Sequence, residues 1–204
     1  MEFWNNLLTE KSWEVLKEIR KKYHFILIGG WATYLWAKQQ KSRDIDIVVD
    51  VKELQKLKEE NLSKNDNLKK YEIKRGEIDI DIYVDYYSKL AIPAEDIKNY
   101  YSEVEGFNVI IPELLLILKQ GALIDRENSA KGEKDKIDII SIILFSNVDY
   151  KKYYSILKKY HLENYLARLL HLLRNFKDFG RFNLTPKEFK VKKEKVVGIL
   201  KSIK

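Results

Sequence analysis

The chain contains no cysteine. That excludes a disulfide scaffold, thiolate metal sites and cysteine nucleophiles, and it fits a reducing compartment. Long apolar runs are missing too. The longest, "LLLIL" at residues 114–118, is far short of the roughly 20 residues that span a bilayer. The start, "MEFWNNLLTEKSWEV", has no basic segment followed by an apolar core, so no secretory signal is read there. The expectation is a cytoplasmic protein with no membrane partner. Histidine is scarce: His24, His161 and His171 show no metal-ligand spacing, and the last two fall on different helix faces. There is no internal repeat and no low-complexity segment.

What is present suffices for a core. The 204 residues are 45% hydrophobic, enough for one large domain or two small ones. The net charge of +7 is unevenly placed. Residues 1–149 hold 23 Lys+Arg against 27 Asp+Glu, whereas residues 150–204 hold 15 against 4. An acidic body suits a cation, and a basic end suits an anionic partner or a solvated helical surface.

The pattern along the chain mixes strands and helices to about residue 111. "KSWEVLKEIRKK" places Trp13, Leu16 and Ile19 at helical spacing. "HFILI" reads as a buried strand ending at Gly29-Gly30, and "WATYLWAKQ" as a helix beginning at those glycines. "RDIDIVV" is a β-branched strand, "VKELQKLKEEN" a helix and "NLSKNDNLKK" a polar loop. "YEIK", "RGE" and "IDIDIYV" read as strand, turn and strand, so that pair is antiparallel and the sheet mixed. "FNVII" is a further strand. From Pro112 the pattern is helical, with proline in the first turn, a capping box at Thr185, Pro186 and Glu188, and, in the last third of the chain, its only marked break at Gly180–Asn183. The expected fold is α+β: a small mixed sheet with flanking helices over residues 1–111, then a helical, basic domain over 112–204.

Two aspartate pairs break the apolar strand pattern. Side chains at i and i+2 share a strand face, with Cα atoms about 6.6 Å apart. Asp44 and Asp46 therefore project together, opposite Ile45, Ile47 and Val49. Asp79 and Asp81 repeat the arrangement opposite Ile78, Ile80 and Ile82. Like charges this close repel, and a divalent cation between them relieves the repulsion. Mg2+ takes one or two carboxylates and completes its shell with water and phosphate oxygens. If the two strands are neighbours, three or four carboxylates converge as ligands for two metal ions, with one carboxylate placed to act as base. Gly29 and Gly30 let backbone N–H groups approach a phosphate at the start of the following helix. Taken singly, a strand with "DID" or a Gly-Gly turn is an ordinary surface feature; together, in this order, they favour a metal–phosphate site.

These motifs resemble those of the DNA polymerase β-like nucleotidyltransferases: Ile28-Gly29-Gly30, thirteen intervening residues, Asp44-Ile45-Asp46, then a further acidic strand residue, Asp81 or Asp79, of which Asp81 fits the resemblance better. "IPELLLILKQGALIDR" followed by "KDKIDII" is similar to the later motifs of the AbiE-type toxin nucleotidyltransferases, through Lys119, Arg126, Lys134, Asp135 and Asp138. The resemblance spans roughly residues 24–145. It implies Asp44, Asp46 and Asp81 as ligands of two Mg2+ ions, with Mn2+ as an alternative. It implies Gly29, Gly30, Ser42, Lys119, Arg126, Asp135 and Asp138 around the NTP. Lys119 and Arg126 at i, i+7 share a helix side and suit either a triphosphate or a charged surface. Where relatives carry a basic residue and a threonine before the aspartates, this chain has Gln40 and Ser42.

In the basic end, Lys187, Lys190, Lys192, Lys193, Lys195 and Lys201 share one predicted helix with only Glu188 and Glu194. The interleaved aromatics, such as Tyr153, Phe176 and Phe179, read as core, and the cations read as an RNA-binding surface. The expected function is transfer of a nucleoside monophosphate from an NTP to a hydroxyl, with the 3′ end of tRNA as acceptor. The resemblance implies a toxin role with an antitoxin partner. The alternatives are a transferase acting on a protein or small molecule, and a non-catalytic antitoxin or binding module of the same fold.

Overall fold

The computed structural model describes residues 6–203; the outermost residues of the two expected domains, and the first five residues of the sequence start, lie outside them. The chain divides into two compact units, one ending at Ile111 and the other beginning at Pro112.

The first unit is built on a seven-stranded sheet. Its strands are β1 Ile26–Ile28, β2 Ile45–Val49, β3 Ser63–Asn65, β4 Lys70–Arg75, β5 Ile78–Val84, β6 Tyr101–Val104 and β7 Phe107–Ile110. The order across the sheet is β3-β4-β5-β2-β1-β7-β6. β2 pairs with β5 and β1 with β7 in parallel, and the remaining neighbours are antiparallel. Strand β5 shows why these residues make a strand: Ile78, Ile80, Ile82 and Val84 are buried while Asp79, Asp81 and Tyr83 lie on the other face. Gly76, at a φ of +62°, turns β4 tightly into β5.

Helices cover this sheet where the sequence period is helical. α1 (Asn6–Lys22) buries Thr9, Ser12, Leu16 and Ile19, one stripe at three- and four-residue steps. Its Trp13 packs on Trp31 and Phe107 with ring centroids 4.9 and 5.4 Å apart. Its Ser12 hydroxyl accepts a 2.9 Å hydrogen bond from the Trp31 indole N–H, so the fully buried indole has its donor satisfied. α2 (Gly29–Ala37), α3 (Val51–Leu57) and the short α4 (Ala94–Ile97) complete the unit.

The sequence missed both edges of the sheet. β3 lies inside the stretch read as a polar loop, and β6 went unread. Neither strand buries a row of side chains, so neither leaves an apolar alternation to find; backbone pairing alone makes them strands.

The second unit contains α5 Pro112–Arg126, α6 Ala130–Phe145, α7 Tyr150–Lys159, α8 Asn164–Asn175, a 3-10 turn at Phe179–Phe182 and α9 Pro186–Ser202. Its helix starts are chemically marked. Asp149 caps α7 through Lys151 and Lys152 N–H, and Thr185 with Glu188 forms the expected capping box on α9. The break at Gly180–Asn183 is one of several: Ser146 ends α6, and His161, at a φ of +57°, ends the turn after α7. Phe145, Phe176, Phe182 and Phe189 pack with centroids 5.7–6.1 Å apart. Among the described residues no helix is long and apolar enough to cross a membrane.

Candidate active site

Strand register assembles the acidic cluster in the first unit. Asp46 on β2 is the direct partner of Asp81 on the parallel β5, and Glu72 on β4 is the partner of Asp81 on its other side. Neighbouring strands lie about 4.8 Å apart, so three carboxylates form a row across three strands. Across β1 the same row reaches Ile28, the partner of Asp46 and the residue before Gly29.

Gly29 closes the row. It sits at a φ of +66°, the left-handed region that glycine enters at little cost. A β-carbon there would stand 2.6 Å from Asp46 Cγ and closer still to Oδ2, so the backbone can meet the carboxylate only because the side chain is missing. α2 begins at this point, and no side chain caps its first turn. Its leading N–H groups and the positive end of its dipole are thus left for an anion.

Two cations already lean on the flanking acids. Lys70, 9% exposed, places its ammonium 2.6 Å from Asp81 Oδ2 and 3.0 Å from Glu72 Oε1. Burial works to lower its pKa, but Asp81 and Glu72 outweigh burial and hold it above the usual lysine value. Arg43 lies 2.8 Å from Asp44 through Nε and 3.6 Å from Asp79 through Nη2. The hydrogen bond to Asp44 raises the arginine's pKa further. Asp79 is thus tied to Arg43, while Asp81 is the one that faces Asp46.

Asp81 carries the strain of the arrangement. Burial and then the nearby Asp46 charge push its carboxyl up to about 6, against the pull of Lys70. A cation between Asp46 and Asp81 would remove the repulsion, and hard carboxylate oxygens are the donors that Mg2+ and Mn2+ select. The donor set therefore fits the metal. Among the described residues, however, no three acidic or imidazole groups stand together as a ready-made cage. A metal held here would draw further ligands from water or substrate.

Of the remaining expected residues, Gly30 and Ser42 belong to the first unit and Lys119, Arg126, Asp135 and Asp138 to the second. Gly30 is buried within the first turn of α2. Ser42 is 1% exposed and makes its contacts within the protein. In the second unit, Lys119 is buried 2.6 Å from Asp138 and 3.4 Å from Asp135, and Arg126 Nε donates to Asp135 Oδ2 at 2.7 Å. Asp135 and Asp138 are themselves 1% and 2% exposed. Lys119 and the two carboxylates are thus buried in the helical unit, and Arg126, the exposed last residue of α5, reaches Asp135 from outside. A cavity of about 660 Å3 also opens among α5, α6 and α8, lined by Leu123, Ile139 and Leu169 with Glu127, Arg168 and His171.

The sequence did not reveal Lys70, Glu72 or Arg43 as members of the cluster. Arg43 stood next to Asp44 and was legible as a counter-charge. Lys70 and Glu72 required the β4–β5 register, which the "RGE" turn in principle sets.

No family profile and no curated protein matches the sequence. Solved structures do match. The JHP933 protein of Helicobacter pylori aligns over 95% of this chain and 93% of its own, at 15% identity and a TM-score of 0.51. A candidate nucleotidyltransferase of H. pylori aligns over 98% and 99%, at 16% identity and a TM-score of 0.53. The fold is nucleotidyltransferase-like. A nucleotidyltransferase-like fold accounts for the mixed sheet with flanking helices and for the helices that follow it.

Proposed function

We propose that the chain is a divalent-metal-dependent nucleotidyltransferase. The observation that carries this reading is the pairing of Asp46 with Asp81 beside Gly29. Asp46 and Asp81, with Asp44, hold Mg2+ or Mn2+ together with phosphate oxygens of an NTP. When bound, the metal would supply Lewis-acid stabilisation of phosphoryl charge. Gly29, Gly30 and the uncapped start of α2 receive the phosphates. Asp81, facing Asp46 across the paired strands, is placed to take the proton of an acceptor hydroxyl.

The acceptor in this reading is RNA, specifically the 3′ end of tRNA. Support comes from the 15 Lys+Arg against 4 Asp+Glu in residues 150–204, a charge density that a polyanion neutralises. The cavity in the same helical unit, with apolar side chains and Arg168 in its wall, suits an unstacked base. The toxin–antitoxin reading rests on the resemblance of the Lys119–Asp138 segment alone. In a second reading, the chain is a binding module without turnover. It is favoured by the ion pairs that Lys70 and Arg43 already make with Asp81 and Asp44.

The test is incubation with each α-labelled NTP in turn, Mg2+ and total tRNA. The first reading predicts label in RNA for at least one NTP. NTP binding with no label in RNA, protein or small molecules supports the second.

A further inference from the structure

Lys70 sits where a metal ion would have to act. Its ammonium lies 2.6 Å from Asp81 Oδ2, close enough to take one of the two oxygens that this carboxylate offers. It is held there by geometry. β4 runs antiparallel to β5 with Glu72 opposite Asp81, and Lys70 lies two residues before Glu72, on the same strand face. Glu72 anchors the ammonium at 3.0 Å and is itself fixed by the Asn65 amide at 2.9 Å. Among the described residues Asp46 has no ion pair. The row therefore contains one uncompensated carboxylate and one whose oxygen is occupied.

We propose that Lys70 is a positioning residue that competes with the divalent ion for Asp81, so that metal enters this site with the nucleotide rather than before it. The inference rests on the nucleotidyltransferase reading and deepens it by giving an order of binding. In the free protein, Asp46 offers a lone ion too few ligands, and Lys70 guards Asp81. A metal–triphosphate brings its own phosphate oxygens, and the added ligands outweigh the Lys70 ion pair. Glu72 then keeps the displaced ammonium paired, so displacement does not leave a buried charge alone.

The experiment is equilibrium binding of Mn2+ to the nucleotide-free protein, with free Mn2+ read by electron paramagnetic resonance. No turnover is involved. Lys70→Met should tighten Mn2+ binding about tenfold, and Lys70→Arg should leave it near the parent value. Simple bulk charge would also tighten binding in Lys70→Met. The decisive protein is therefore Lys70→Met with Glu72→Gln, whose net charge equals the parent's and in which no buried cation or anchor is left unpaired. Competition predicts that this double variant still binds Mn2+ several-fold more tightly than the parent. Parent-like affinity in the double variant overturns the proposal. A second readout is the gain in Mn2+ affinity on adding a non-hydrolysable NTP analogue. It should be large in the parent and smaller in the double variant, because nucleotide and metal no longer have to displace Lys70 together; an equal gain also overturns it. Asp46→Asn separates this failure from failure of the site. If that variant binds Mn2+ with analogue as well as the parent does, the metal lies elsewhere and both readings fall.

Discussion

Gly29 and Asp46 are in steric register: the backbone of one fills the space that a side chain at that position would take from the carboxylate of the other. A β-carbon on residue 29 would stand 2.6 Å from Asp46 Cγ, at a φ of +66° that L side chains resist. Gly29→Ala should therefore displace Asp46 as well as strain the turn. The expected cost is about 2 kcal/mol or more in urea unfolding, together with a drop of tenfold or more in nucleotidyl transfer. A variant with both values unchanged would show that the contact has no role.

Asp46 should cost stability. Its charge is one of the causes that lift Asp81 to about 6. A carboxyl whose pKa is raised on folding destabilises the fold wherever it is ionised. The cost is absent below its unfolded value near pH 4, grows as pH rises, and is complete above about pH 6. Asp46→Asn removes the repulsion. It should raise stability by about 1 kcal/mol at pH 8, with the gain fading toward pH 4. Thermal melts of both proteins across this range check it, and an equal difference at the two ends contradicts it.

Asp135 should be the most sensitive residue of the helical unit. It is 1% exposed and pairs with both Lys119 and Arg126. Asp135→Asn removes a buried carboxylate from beside the Lys119 ammonium and should cost about 3 kcal/mol. Glu133, exposed on the same helix and paired with Lys136, is the control: Glu133→Gln should change stability by less than about 0.5 kcal/mol. Similar losses for the two would refute the buried network as a stability element.

The exposed lysines of α9 are predicted to read phosphate charge. Lys187, Lys190 and Lys195 changed together to Gln should weaken binding to single-stranded RNA and reduce the slope of log affinity against log salt by about 2. An unchanged slope assigns these lysines to solvation.

The aspartates and glycines were legible because each violates a local rule. An acid inside a β-branched run, or a Gly-Gly after a buried strand, calls for a reason, and β2 and β5 supplied it by pairing Asp46 with Asp81. Lys119 reads differently once its helix is seen. A shared helix side says where a charge points only if the helix has a wet side, and every residue from Pro112 to Gly121 is buried. A lysine inside such a run demands carboxylate partners, and Asp135 and Asp138 were the acids in reach. Lys70 was hidden because its meaning depends on which strand lies beside it. The edge strands β3 and β6 were hidden because they bury almost nothing.

The most direct measurement is transfer of label from an α-labelled NTP, with Mg2+ and tRNA, by the parent protein and by Asp46→Asn checked for its fold by circular dichroism. The account predicts transfer by the parent and a loss of at least about a hundredfold in the variant. Equal transfer by a folded Asp46→Asn protein would contradict it.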